Sequence, residues 1–232
     1  MMATKKVKVK VKKKKINFKR IFLALLVIGV FSLVVAYFIH LPVKNIYVTG
    51  NNIVSDKEII ELSELTSYPA YINTYFMDIK KNLLKNDYIK NVKVKRKMFN
   101  KIYIEIEEYK PIAIYNDNML LSSGKKVKNT NNIDYIPYII GSIDDVYNDF
   151  IKNFSKVDDN VLLKISHIEY VPNEVDNQRF ILYMVDGNYT YITLSKIEKI
   201  NKYNSIVNEL EGKKGIIYLD SGDYVEIKGW HK

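Results

Sequence analysis

The sequence predicts an α+β protein carried on a single N-terminal transmembrane helix, with a β-α-α-β-β module beside the membrane and a β-rich α+β module beyond it. Three features lead there: an apolar run from Ile21 to Ile39 behind a lysine-dense tail, two helical stripes followed by two alternating strands before Glu108, and short strands separated by turn residues after Pro111.

The nineteen positions of the apolar run hold no charge, and fourteen of them are Leu, Ile, Val or Phe. A helix of that length spans about 28 Å, which matches the hydrocarbon thickness of a bilayer. Ten basic residues and no acid lie between Lys5 and Arg20, whereas only His40 and Lys44 closely flank the other end. Positive residues near a span stay cytoplasmic, so the N-terminus is expected inside and the body outside, from Leu41 onward. A cleaved signal would need a shorter apolar core and small residues at its end. Here Ala36-Tyr37-Phe38-Ile39-His40 places large side chains there, which favours an uncleaved anchor. The tail fits either a plain topology signal or a binder of anionic inner-leaflet lipid.

The chain has 36 Lys and Arg against 26 Asp and Glu, and with ten of the basic residues in the tail the remainder carries 26 of each sign. A balanced body lacks the concentrated cationic face that phosphate backbones require, which argues against nucleic acid as a partner. There is no cysteine, so the exported part must be held by an apolar core and has neither thiol chemistry nor cysteine-based zinc sites.

After the anchor, Val43 to Thr49 reads as a strand with Ile46 and Val48 on one face, and Gly50-Asn51-Asn52 supplies a turn. Ser55-Asp56-Lys57-Glu58 has the form of a capping box and opens a helix to about Leu65, with Ile59, Leu62 and Leu65 on its apolar side. Pro69 separates it from a second helix near 75–86, where Phe76, Ile79, Leu83 and Leu84 keep helical spacing. Val92 to Arg96 and Ile102 to Glu107 then alternate as strands, with lysines on one placed to face glutamates on the other. One antiparallel sheet with both helices on one face would bury every apolar position.

Beyond Pro111, Ile112 to Tyr115, Met119 to Leu121 and Lys125 to Val127 predict hairpins, with Ser122-Ser123-Gly124 as a turn. Residues 143–154 and 158–164 read as helices, and Ile168 to Val171, Arg179 to Val185 and Tyr189 to Leu194 as strands. Ser195-Lys196-Ile197-Glu198 has the form of a second capping box, opening a helix whose stripe is Ile197, Ile200, Tyr203, Val207 and Leu210. That stripe is expected to pack on its own sheet. Ile216 to Leu219 begins a final hairpin through 220–223, and its last strand, Tyr224 to Trp230, can lie at a sheet edge open to another protein's strand.

Catalytic patterns are sparse. Ser122-Ser123-Gly124-Lys125 fits S-x-x-K, but the companion motifs of that chemistry are missing and the tetrapeptide falls in a turn. His40, His167 and His231 are scattered, and the alternation of Glu105, Glu107 and Glu108 puts two of them on the wet face of a sheet, which reads as a solvated surface and not as an acid/base group. No cofactor motif is present. Asn153-Phe154-Ser155 and Asn188-Tyr189-Thr190 fit the glycosylation triplet, which is short enough to arise by chance.

Val48-Thr49-Gly50-Asn51, the run Asn86 to Arg96, Ile102 to Glu108 and Pro111-Ile112-Ala113 resemble the POTRA module of the FtsQ/DivIB cell-division proteins. In that family a V-x-G-N turn opens the module, an arginine ends one strand, and an E-x-x-P-x-A stretch leaves it. Phe99 departs from the pattern, standing where many members have proline. The resemblance implies a basic cytoplasmic tail (1–20), a transmembrane helix (21–39), a POTRA-like domain (41–111) and a β domain (112–230) with a partner-binding hairpin. It implies a non-catalytic scaffold that binds FtsL- and FtsB/DivIC-like partners at the septum and helps recruit or regulate the septal peptidoglycan synthase complex. The family's partner site carries over onto Leu219, Ser221, Gly222, Tyr224, Val225, Glu226, Ile227, Lys228 and Trp230. Two alternatives stand beside this: a membrane-anchored envelope enzyme, and a POTRA-bearing transport or chaperone component, for whose usual β-barrel the chain leaves little room.

Overall fold

The computed structural model describes residues 17–97, 100–129, 133 and 135–227. The apolar run forms helix α1, Phe18–Ile39, which begins three residues before the uncharged stretch and buries no side chain against the body. At about 1.5 Å per residue it is roughly 33 Å long, enough to cross a bilayer. A helix that is apolar on all sides, with no side chain buried among the described residues, is suited to lipid surroundings.

Strand β1 (Asn45–Thr49), helices α2 (Asp56–Leu62) and α3 (Phe76–Leu83), and strands β2 (Ile89–Lys97) and β3 (Lys101–Glu108) build the first module. The expected antiparallel sheet is corrected at one pair. The order is β1-β3-β2, with β2 antiparallel to β3 but β1 parallel to it, because the two helices carry the chain back across the sheet before β2 begins. Alternation puts Val92, Ile102, Ile104 and Ile106 on the face that α2 and α3 cover, packed against Ile59, Leu65, Ile79 and Leu83. The opposite face is wet, and there Lys93 lies across from Glu105 at 3.2 Å while Lys90 meets Glu107 at 2.6 Å. The hairpin turn at Phe99 lies outside the described residues.

Two local expectations need amending. Ser55 caps α2, its hydroxyl accepting from the Glu58 N–H at 3.2 Å, but the reciprocal half of the box is absent: the Glu58 carboxylate accepts from the Asn86 amide at 3.0 Å instead. Glu108 does not act as a solvated strand residue. Its carboxylate accepts the backbone N–H groups of Asn52, Ile53 and Val54 at 2.9, 2.9 and 2.8 Å, so the last residue of β3 clamps the loop after Gly50.

The second module is one twisted sheet of nine strands among the described residues, ordered β12-β11-β10-β9-β8-β7-β4-β5-β6. In chain order these are β4 (Pro111–Tyr115), β5 (Asn118–Leu121), β6 (Lys126–Lys128), β7 (Tyr138–Ile140), β8 (Ile165–Tyr170), β9 (Arg179–Met184), β10 (Tyr189–Thr193), β11 (Gly215–Tyr218) and β12 (Tyr224–Ile227). Helices α4 (Tyr147–Phe154), α5 (Asp159–Leu162) and α6 (Tyr203–Glu209) complete it. Phe150, Phe154, Ile197, Ile200 and Tyr203 bury one sheet face against Ile168, Phe180, Leu182, Ile192 and Ile217. The stripe expected on the last helix therefore packs on its own sheet. The second capping box is not formed: residues 194–202 make a 3-10 helix with no side-chain cap, because Leu194, Ile197, Ile200 and Tyr203 recur every third residue and only a three-residue turn aims all four at the sheet. Asn188 and Thr190 are buried, which removes that triplet as a glycan acceptor.

The modules meet at a small core of Ile114, Met119, Leu121, Val127 and Ile136, onto which Ile53, Tyr88 and Tyr109 pack from the first module. Lys125 pairs with Asp87 at 2.6 Å and Ser122 Oγ accepts from the Lys110 N–H at 3.0 Å, so the Ser and Lys that define the S-x-x-K pattern are both held in structural contacts.

Candidate partner-binding edge

The C-terminal hairpin is positioned by a buried polar network. Tyr203 donates its hydroxyl to the Asp186 carboxylate at 2.8 Å and accepts from the Asn188 amide at 3.0 Å, while Asn188 Oδ1 accepts the Gly215 N–H at 2.9 Å. The start of β11 is thereby tied both to the β9–β10 turn and to α6. Burial, together with the hydrogen bond to Asp186, pushes the Tyr203 phenol well above its ordinary range, although the Asn188 amide opposes this, so it stays a neutral donor. β11 then runs parallel to β10, and β12 turns back antiparallel to β11. Gly215 permits that closeness, since a Cβ there would lie 2.5 Å from the Glu226 carbonyl oxygen.

The tip of the hairpin is held by charge. Arg179 Nε donates to Asp220 at 2.7 Å with its guanidinium 4.1 Å above the Tyr191 ring, Lys196 donates to the Asp220 carbonyl, and Lys199 pairs with Asp223 at 2.6 Å. Tyr191, Tyr218 and Tyr224 stack in a row across the three strands, with centroids 5.2 and 4.6 Å apart. Burial alone would raise the Asp220 carboxyl, but Arg179 and the Ser221 hydroxyl more than offset it and hold the group below its ordinary value. A depressed native pKa contributes stability that is fully present above about pH 4 and lost as the pH falls through the native value. Asp220→Asn is therefore expected to cost about 1–2 kcal/mol at pH 7, and to flatten the acid limb of the stability curve below about pH 4; urea unfolding at pH 7 and pH 3 reads both.

Among the described residues β12 has a strand neighbour on one side only. The predicted partner residues do not share one environment there. Leu219 is buried, with its N–H donating to the Tyr191 carbonyl, so its side chain offers a partner only part of a groove floor. Val225 is half-buried against the same core, whereas Ser221, Gly222, Tyr224, Glu226 and Ile227 are exposed. Lys228 and Trp230 lie outside the described residues. A groove of about 370 Å³ runs beside the strand, floored by Ile206, Leu219 and Val225 and rimmed by Lys199, Lys202 and Glu209. Ile206 and Lys202 were not legible as site residues, because only the fold brings α6 alongside β12.

The profile described as "POTRA domain, FtsQ-type" matches residues 41–109. The chain is 32% identical to the cell division protein DivIB of Brevibacillus brevis, over 74% of this chain and 69% of that protein. It is 30% identical to the cell division protein DivIB of Bacillus subtilis, over 78% of this chain and 72% of that one. The major extracytoplasmic domain of DivIB from Geobacillus stearothermophilus, solved as its trans isomer, aligns with a TM-score of 0.38 at 24% identity, covering 45% of this chain and 96% of that domain. With relatives of this identity matched over more than two thirds of their length, and the FtsQ-type module in place between the anchor and the nine-stranded sheet, the chain belongs to the DivIB/FtsQ family of cell division proteins.

Proposed function

We propose that this chain is a non-catalytic, single-pass scaffold of the division machinery whose β12 edge accepts a strand from an FtsL- or FtsB/DivIC-like partner. The basic tail stays in the cytoplasm, the body lies outside, and the assembled complex recruits or regulates septal peptidoglycan synthesis. The observation that carries the reading is the conjunction of a strand edge with no neighbour among the described residues and an apolar groove beside it. An incoming strand would satisfy the outward N–H and C=O groups of β12, and its alternate side chains would enter the groove, combining main-chain affinity with side-chain choice. The charged rim made by Lys199, Lys202 and Glu209 favours a partner segment with apolar residues flanked by both signs of charge.

Photoreactive residues placed at Tyr224 and Glu226 in dividing cells test this. They are expected to capture a small single-pass division protein at the septum, while the same probe at Val175, a fully exposed loop position, captures none. Equal capture at all three positions, or capture of lipid alone, would sink the edge assignment.

A further inference from the structure

From the way the first module is tied to α1, we infer that its 68–77 segment is a membrane-surface foot, seated in the interfacial layer of the outer leaflet. The inference rests on the reading of α1 as an inserted span. Three residues, His40 to Pro42, separate Ile39, the last residue of α1, from Val43, so the body starts within four chain steps, at most about 14 Å, of the helix end. Those residues do not hang free. Pro42 bridges Ala70, the Val43 N–H donates to the Pro69 carbonyl at 3.1 Å, and the 3-10 turn Tyr71–Asn73 packs beside α1. The segment that follows α2 is thus stitched to the first residues leaving the bilayer.

What that segment exposes fits the headgroup layer and not bulk water. Tyr68, Ile72, Tyr75 and Met77 are 53%, 45%, 64% and 78% exposed, a concentration of large apolar and amphipathic side chains within ten positions of a small module. Tyrosine is favoured at the membrane interface, where its ring meets acyl chain and its hydroxyl meets water. The sheet adds cations at the same end. Asn45 and Lys97 both pair with Lys101 in the ladder and the Lys44 N–H donates to the Asn100 carbonyl, so Lys44, Lys97 and Lys101 gather where β1 leaves the anchor. Basic residues at a bilayer surface are drawn to anionic headgroups. The interfacial layer is roughly 6 Å deep on each side, deep enough for a side chain and too shallow for the folded core. A foot of this kind would fix the tilt of the module and hold the long sheet away from the surface.

The chain has no cysteine, so single nitroxide labels can be placed cleanly in the full-length protein. The labelled variants are Ser32→Cys in α1, Ile72→Cys and Met77→Cys in the foot, and Val175→Cys in the second module, each reconstituted into phosphatidylglycerol–phosphatidylethanolamine vesicles. Collision with oxygen, which partitions into lipid, is compared with collision with a water-soluble nickel chelate. The oxygen-to-nickel ratio is expected to be highest at S32C, intermediate at I72C and M77C, and lowest at V175C, with the foot severalfold above V175C. A water-like ratio at I72C and M77C alongside a lipid-like S32C would overturn the foot and leave the anchor intact. A water-like S32C would instead overturn the anchor reading, and the foot with it. Foot labels shielded from both agents would mean that protein, such as a second copy, covers the segment, which also overturns the proposal.

Discussion

Gly50→Ala is expected to melt the membrane-proximal module about 15 °C below the parent. Gly50 sits at φ +84°, and a Cβ there would lie 2.2 Å from the carbonyl oxygen of Ile106 and 3.3 Å from its carbon. The left-handed backbone alone costs an alanine about 1–2 kcal/mol. The overlap cannot be relieved cheaply, because Ile106 belongs to β3, the central strand, whose ladders to β1 and β2 would both have to shift. Together these give a loss of roughly 3–5 kcal/mol, which thermal unfolding followed by circular dichroism would register. Gly124→Ala is the matched control. Its φ is +83° but no atom lies within 4 Å of the added methyl, so only the conformational part remains. Equal destabilisation by both variants would show that the close approach to Ile106 has no energetic weight.

Glu108→Ala should cost about 3 kcal/mol, since it strands three backbone donors that a single carboxylate satisfies. Glu108→Gln should fall between alanine and the parent. One amide oxygen can keep the Asn52 and Ile53 bonds, but the NH2 that replaces the other oxygen would point a donor at the Val54 N–H. The loss has a second readout. Glu108 precedes Tyr109 and Pro111 at the crossing between modules, and Ile53, inside the clamped loop, packs onto the core shared with Met119 and Leu121. Releasing the loop is therefore expected to increase proteolytic cleavage near Lys110 along with the drop in urea stability. Unchanged cleavage in E108A would confine the clamp to the first module.

Periodicity made the long, one-sided elements legible. The β2–β3 hairpin announces itself because Val92, Val94, Ile102, Ile104 and Ile106 must all meet one core, and its Lys–Glu pairs follow from the same alternation. β7 went unread: Tyr138–Ile140 is three residues long, follows Pro137 and shows no alternation, and it is a strand only because β4 and β8 flank it in parallel. The direction of β1 was equally hidden, since a strand's apolar face is the same whichever way its neighbour runs. Glu108 illustrates the deeper limit. Its neighbours Glu105 and Glu107 do sit on the wet face as their spacing implies, but Glu108 finds its partners more than fifty positions upstream, and no local pattern reports that. At the C-terminal edge, the hairpin was readable from its turn residues. The groove beside it was not, because its walls come from α6 and from the residues before it.

The two ends of the nine-stranded sheet differ in kind. At β6 the strand is three residues long, carries Lys126 and Lys128, and lends the Lys128 carbonyl to the Tyr88 hydroxyl of the first module. That flank is engaged from within the same molecule, and its lysines are edge charges of the kind that discourage a further strand, since pairing would desolvate them. Among the described residues, extension of the sheet is therefore left to the β12 side. On the proposed reading a guest strand would meet no rival at the opposite flank, and the two ends of one sheet would divide their roles between holding the modules together and receiving a visitor.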